Sequence, residues 1–174
     1  TTFGGPDQVT LTPGDANDSG RVEITATATP ISSPPLTFRN LGAGGSLTFA
    51  DAGAADTLIY LGTAGDDQFG VDAAGVVTLN DQLPVNTPGV SQLILRGLGG
   101  DDTFSIAGDH PLDSIAVEGG NPSAGDVLEF IGSGAGAVGL DLAAQTVTEA
   151  GLGTVAYSGI ARIGSVTRPK RPKK

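Results

Sequence analysis

The chain has 174 residues, 28 of them Gly and 11 Pro, with no Cys, Met or Trp, and a formal charge of −10. Five of its nine basic residues fall in the last seven positions, so residues 1–167 carry 19 acidic against four basic groups. That balance excludes a disulfide scaffold, a cysteine-based zinc site and a body that attracts nucleic acid or an anionic membrane, and no run is long enough for a transmembrane helix.

In chain order, short runs with strand character occur at 8–11, 21–27, 36–39, 46–49, 57–61, 68–71, 76–80, 92–96, 103–106, 114–118, 127–131, 138–142, 146–148, 154–157 and 162–166. Clusters of Gly, Asp, Asn and Pro separate them and read as turns. The stretch 142–150 has some helical appeal, which its Thr-Val-Thr run opposes. Residues 29–35, with three prolines, read as an excursion, and residues 167–174 as a basic disordered tail, best explained as a linker or scar. The chain starts at Thr1, which suggests a processed product or a segment of something longer.

A repeat organises the middle. Thr57-Leu-Ile-Tyr-Leu-Gly-Thr-Ala-Gly-Asp-Asp-Gln-Phe-Gly-Val71 returns without gaps, 35 residues later, as Gln92-Leu-Ile-Leu-Arg-Gly-Leu-Gly-Gly-Asp-Asp-Thr-Phe-Ser-Ile106. A fainter copy starts at Val127. A unit this short cannot bury its own apolar face and must stack on copies of itself. The pattern predicts an all-β fold, a parallel β-helix or β-solenoid with about three strands per 35-residue lap. Leu58, Leu93 and Leu128 are expected in register, with Phe69, Phe104 and Leu140 in a second column and Val71, Ile106 and Leu142 in a third. Gly62, Gly97 and Gly132 are expected at equivalent corners. Three regions result: a β segment over 1–45 that caps the array or is a degenerate repeat, repeats over 46–166, and the tail.

Fifteen of the 19 acids are Asp, a residue that bonds its own turn backbone and also ligates hard cations. Gly62-Thr-Ala-Gly65-Asp-Asp67-Gln-Phe69 and Gly97-Leu-Gly-Gly100-Asp-Asp102-Thr-Phe104 match the main positions of a calcium nonapeptide. Looser versions are Asp51-Ala-Gly-Ala-Ala-Asp56-Thr-Leu58 and the run from Gly119 to Leu128. On these residues, clearest over 46–142, the chain resembles the hemolysin-type calcium-binding repeat family, and more closely the degenerate Gly-Asp-Asp-x-Phe repeats of large secreted bacterial surface proteins. The resemblance implies a parallel β-roll, export to the cell surface or beyond, and calcium held by Asp67 and Asp102, with Asp56, Asp126, Asp66 and Asp101 as further candidates. The other reading of the same aspartates is that they form turns by bonding backbone amides.

Other motifs carry less. Asp15-Ala-Asn17-Asp-Ser19-Gly20-Arg-Val22 imitates half an EF-hand loop, but Ala26 stands where the bidentate Glu belongs, so a polar hairpin is the better reading. His110, the single histidine, is expected on a surface loop. The Gly-rich run at 132–139 lacks the Lys of a phosphate loop. The functional expectation is a non-catalytic extracellular structural or adhesive module, self-associating head to tail or stacking on neighbouring repeats, with a cell-surface glycan as a further partner. A calcium-responsive folding module and a polysaccharide-active β-helix enzyme are the alternatives. Ice binding through Thr columns ranks below them.

Overall fold

The computed structural model describes residues 5–26, 33–50, 56–121 and 125–167, the last three by backbone alone. The excursion at 29–32, Asp51 of the loose aspartate motif and the basic tail at 168–174 lie outside the described residues. The described residues form sixteen strands and no helix.

Two mixed sheets face each other. The first holds β1 (Asp7–Pro13), β2 (Gly20–Ala26), β3 (Leu36–Phe38), β5 (Asp56–Leu61), β9 (Val90–Leu98), β11 (Ser114–Gly120), β13 (Val138–Asp141), β14 (Thr146–Glu149) and β15 (Thr154–Ser158). Its order is β13-β14-β15-β11-β9-β5-β1-β2-β3. The second holds β4 (Leu47–Thr48), β6 (Gln68–Val71), β7 (Val76–Leu79), β8 (Val85–Asn86), β10 (Thr103–Ala107), β12 (Val127–Gly132) and β16 (Arg162–Thr167), in the order β16-β12-β10-β6-β7-β8-β4.

The centre of each sheet is parallel. β1, β5, β9, β11 and β15 pair in one, and β6, β10, β12 and β16 in the other. After an initial pass from β3 to β4, the central strands pass from the first sheet to the second four times, as β5 to β6, β9 to β10, β11 to β12 and β15 to β16. Antiparallel strands flank this centre: β2 and β3 beyond β1, β7 and β8 beyond β6, β14 and β13 beyond β15.

Period-two alternation builds the core between the sheets. Leu58, Leu93, Ile115 and Val155 form one column, and Tyr60, Leu95, Val117 and Tyr157 the next. Facing them are Phe69, Phe104, Leu128 and Ile163, then Val71, Ile106 and Phe130. Phe69 and Phe104 stack with centroids 5.0 Å apart, and Tyr60 meets Phe69 edge-on. Such pairs add about 1 kcal/mol to what burial provides.

The 35-residue rule holds for one step and then fails. Leu58 does pair with Leu93, but Leu128 sits in the other sheet, between Phe104 and Ile163. Ile115, only 22 positions after Leu93, continues the leucine column. The reason is local: the β7–β8 hairpin lengthens the path from β6 to β9, whereas six residues link β10 to β11. The 35 residues from Thr57 to Gln92 therefore hold two stacked strands and an antiparallel hairpin rather than three strands of equal standing. Leu140 and Leu142 also leave their expected columns; they are 50% and 72% exposed at the edge strand β13 and just after it. Phe130 takes the place beside Ile106.

Candidate functional site

Each of the first three passes between central strands opens with a glycine and closes with an aspartate: Gly62 and Asp67, Gly97 and Asp102, Gly119 and Asp126. The third corner glycine is thus Gly119, and Gly132 ends β12 instead. A Cβ on Gly97 would overlap both Asp102 Oδ2 and the Gly119 carbonyl oxygen, so only glycine lets the carboxylate fold in here.

The three aspartates form a ladder. The Asp67 N–H donates to Asp102 Oδ1 at 2.9 Å, and the Asp102 N–H donates to Asp126 Oδ1 at 2.9 Å. In the other direction Thr103, Val127 and Ala161 donate their N–H groups to the carbonyls of Asp67, Asp102 and Asp126. The Asp67–Asp102 and Asp102–Asp126 steps are therefore tied through main chain and side chain together, and Asp126 is tied to the last pass through its carbonyl. All three are buried. Asp66 and Asp101 make a parallel, exposed row, with the Asp101 N–H donating to Asp66 Oδ1 at 2.8 Å.

Of the six candidate acids, five come together in these rows. Asp56 does not; it lies at the start of β5 and accepts the Asp7 N–H at 2.9 Å.

The corners differ in how completely they are bonded. Asp67 is saturated: Thr63 N–H reaches its Oδ2 at 2.6 Å and Asn80 Nδ2 its Oδ1 at 2.6 Å. Among the described residues Asp102 Oδ2 and Asp126 Oδ2 have no hydrogen-bond partner. Burial, aided by the charges of Asp67, Asp126 and Asp66, pushes the Asp102 carboxyl up to about 6, against the pull of the Asp67 hydrogen bond. Burial, and after it the charge of Asp67, also raises the Tyr60 phenol, which stays neutral.

A further buried carboxylate had no sequence signal. Glu149, on β14, accepts from Ser133 N–H at 2.7 Å, Ser133 Oγ at 2.6 Å, and Ala135 and Gly136 N–H at 3.1 Å each. Burial alone would raise its pKa; these bonds outweigh it and hold the group below the usual carboxylate range. Asn80 was missed too, and its only hint was an Asn at a turn, where it takes a φ of 47°.

His110 is not on the surface. It is 4% exposed, packed where Gly153 leaves room, and burial lowers its pKa. The EF-hand imitation is the loop of the β1–β2 hairpin, where Ser19 Oγ donates to the Ala16 carbonyl at 2.8 Å. Beside it a cavity of about 500 Å³ is lined by Asp15, Arg21, Phe38 and Arg39, at the opposite end of the sheet from β15.

Among the described residues no group of three or more His, Cys, Asp or Glu side chains is arranged to hold a metal ion. No protein-family model, curated protein or solved structure matches the chain.

Proposed function

We propose that the chain is a non-catalytic structural or adhesive module of an extracellular, cell-surface assembly, built as an irregular β-solenoid. One observation carries this reading. Asp67, Asp102 and Asp126 are buried, and the carboxylates of Asp102 and Asp126 each accept a backbone N–H from the pass before. A carboxylate used in that way braces a rod; it is not presented to a substrate. The parallel central stack suits a spacer or a stacking unit, with an exposed glycan or a second copy as partner. Small-angle scattering should give one elongated, rigid particle, and incubation with uronate-containing polysaccharides should release no new reducing or unsaturated ends. Turnover of such a polymer would replace this reading with the polysaccharide-active one.

A calcium-responsive module is the second reading, and one observation favours it. Asp102 Oδ2 shares the space over Gly97 with the Gly119 carbonyl oxygen, and Asp126 Oδ2 shares the space over Gly119 with that of Gly159. Two oxygens at each corner fall well short of the six to eight that calcium takes, so water or the Asp66–Asp101 row must complete any shell. Thermal melts with calcium and with chelator separate the readings: a midpoint that does not move removes calcium.

A further inference from the structure

The two sheets end unevenly. At the end where β15 and β16 lie, the first sheet continues for two more strands, β14 and β13, while no described strand follows β16. Among the described residues both β13 and β16 are edge strands, each with a row of main-chain groups that no described strand pairs. Leu140 shares the inner face with its neighbour Val147, yet Val147 is 2% exposed and Leu140 is 50% exposed. The inner face of β13 has no strand of the second sheet opposite it, which accounts for the difference.

We propose that this stepped end pairs with the same end of a second copy, β13 of each protomer adding antiparallel to β16 of the other. This contact deepens the self-association in the reading above and replaces its head-to-tail mode. Three features choose this occupant. First, the shape is self-complementary: nine strands face seven, and a two-fold axis along the strands sets the two-strand overhang of one copy into the two-strand gap of the other. Second, one register satisfies both faces. With Leu140 opposite Ile163, two inward apolar side chains meet, and Asp141 then falls opposite Arg162 on the outer face. Third, those charges are available. Arg162 is exposed, with no side-chain partner among the described residues. Asp141 closes its turn through Oδ1 alone, accepting from Ala143 and Ala144 at 2.9 Å. Head-to-tail growth instead sets β13 against β3 and β16 against the two-residue β4, and provides neither match.

Sedimentation of the full chain over a concentration series tests the pairing. The native chain should form a dimer and nothing larger. D141R and R162D should each weaken it at least tenfold while circular dichroism stays native. An equimolar mixture of the two should recover dimers, because each mixed pair restores both Asp–Arg contacts. If D141R loses its turn, R162D and L140K carry the test alone, both with the same expected loss. A ladder of species growing with concentration would overturn this contact and leave stacking in place. A monomer at every concentration would overturn both, and a dimer indifferent to all three substitutions would place the interface elsewhere.

Discussion

Asp102 and Glu149 are both buried carboxylates at the ends of strands, and their environments push them in opposite directions. Asp102 has one oxygen on a backbone N–H and one with no partner, among three other acids, and its pKa rises. Glu149 has both oxygens bonded, by four donors from a single turn, and its pKa falls. Equal burial therefore does not mean equal cost. Donors decide the matter: a carboxylate filling a concave turn of N–H groups is stabilised as an anion, whereas one in a ladder of like charges is held there by the fold.

The largest expected effect comes from removing the better-satisfied acid. Glu149→Ala leaves the Ser133 and Gly136 N–H groups without their acceptor, while the Ala135 N–H keeps Ser133 Oγ, and should cost about 4 kcal/mol, read as a lower urea midpoint. Loss below 1 kcal/mol would mean that water replaces the carboxylate and that the contrast is overstated. Next is the space that allows Asp102 to fold in. Gly97→Ala puts a methyl into Asp102 Oδ2 and the Gly119 carbonyl, at a cost of about 3 kcal/mol, whereas Gly44→Ala, where nothing lies within 4 Å, should change stability by less than about 0.5 kcal/mol.

The sequence contained much of one side of this comparison and almost none of the other. Alternation located the strands, because a half-buried strand imposes period two on its own residues. The gap-free recurrence of Gly62–Phe69 as Gly97–Phe104 gave the first two aspartates of the ladder. Asp126 was visible only as a looser motif, since the chain reaches it 24 residues after Asp102, without a hairpin between β10 and β11. Leu128 misled for the same reason: inward residues of both sheets alternate alike, so pattern alone cannot say which sheet a run joins once the spacing changes. Glu149 was invisible. Its partner turn lies 16 residues upstream and is brought to it by the folding back of β13 on β14. His110 lies in the expected loop but looked exposed, because nothing local records that Gly153 leaves room for it.

Asp102→Asn sharpens the comparison from the other side. Asparagine keeps the oxygen that accepts the Asp67 N–H and puts an NH₂ where the unpartnered oxygen faces the Gly119 carbonyl. The variant should be about 1 kcal/mol more stable than the native chain at pH 7, the worth of one added hydrogen bond. Lower stability there would show that the native carboxylate is already compensated.

The smallest effect is the pH dependence of that gain, and its sign is fixed by the direction of the shift. The Asp102 pKa rises on folding, from its ordinary value of 3.8 to about 6. Its contribution to stability is therefore fully present below pH 3.8 and is lost as pH rises through 6. His110 and Glu149, both lowered, act in the other sense: their contributions are lost as pH falls through their folded values. A native melt alone mixes these opposing slopes. The difference between the native chain and Asp102→Asn cancels the two lowered groups, which both proteins share, and isolates Asp102. That difference should shrink by more than half between pH 7 and pH 5, because the native carboxyl takes up its proton over this range while the amide does not titrate. A constant difference would mean that Asp102 is ionised in the ladder at pH 5.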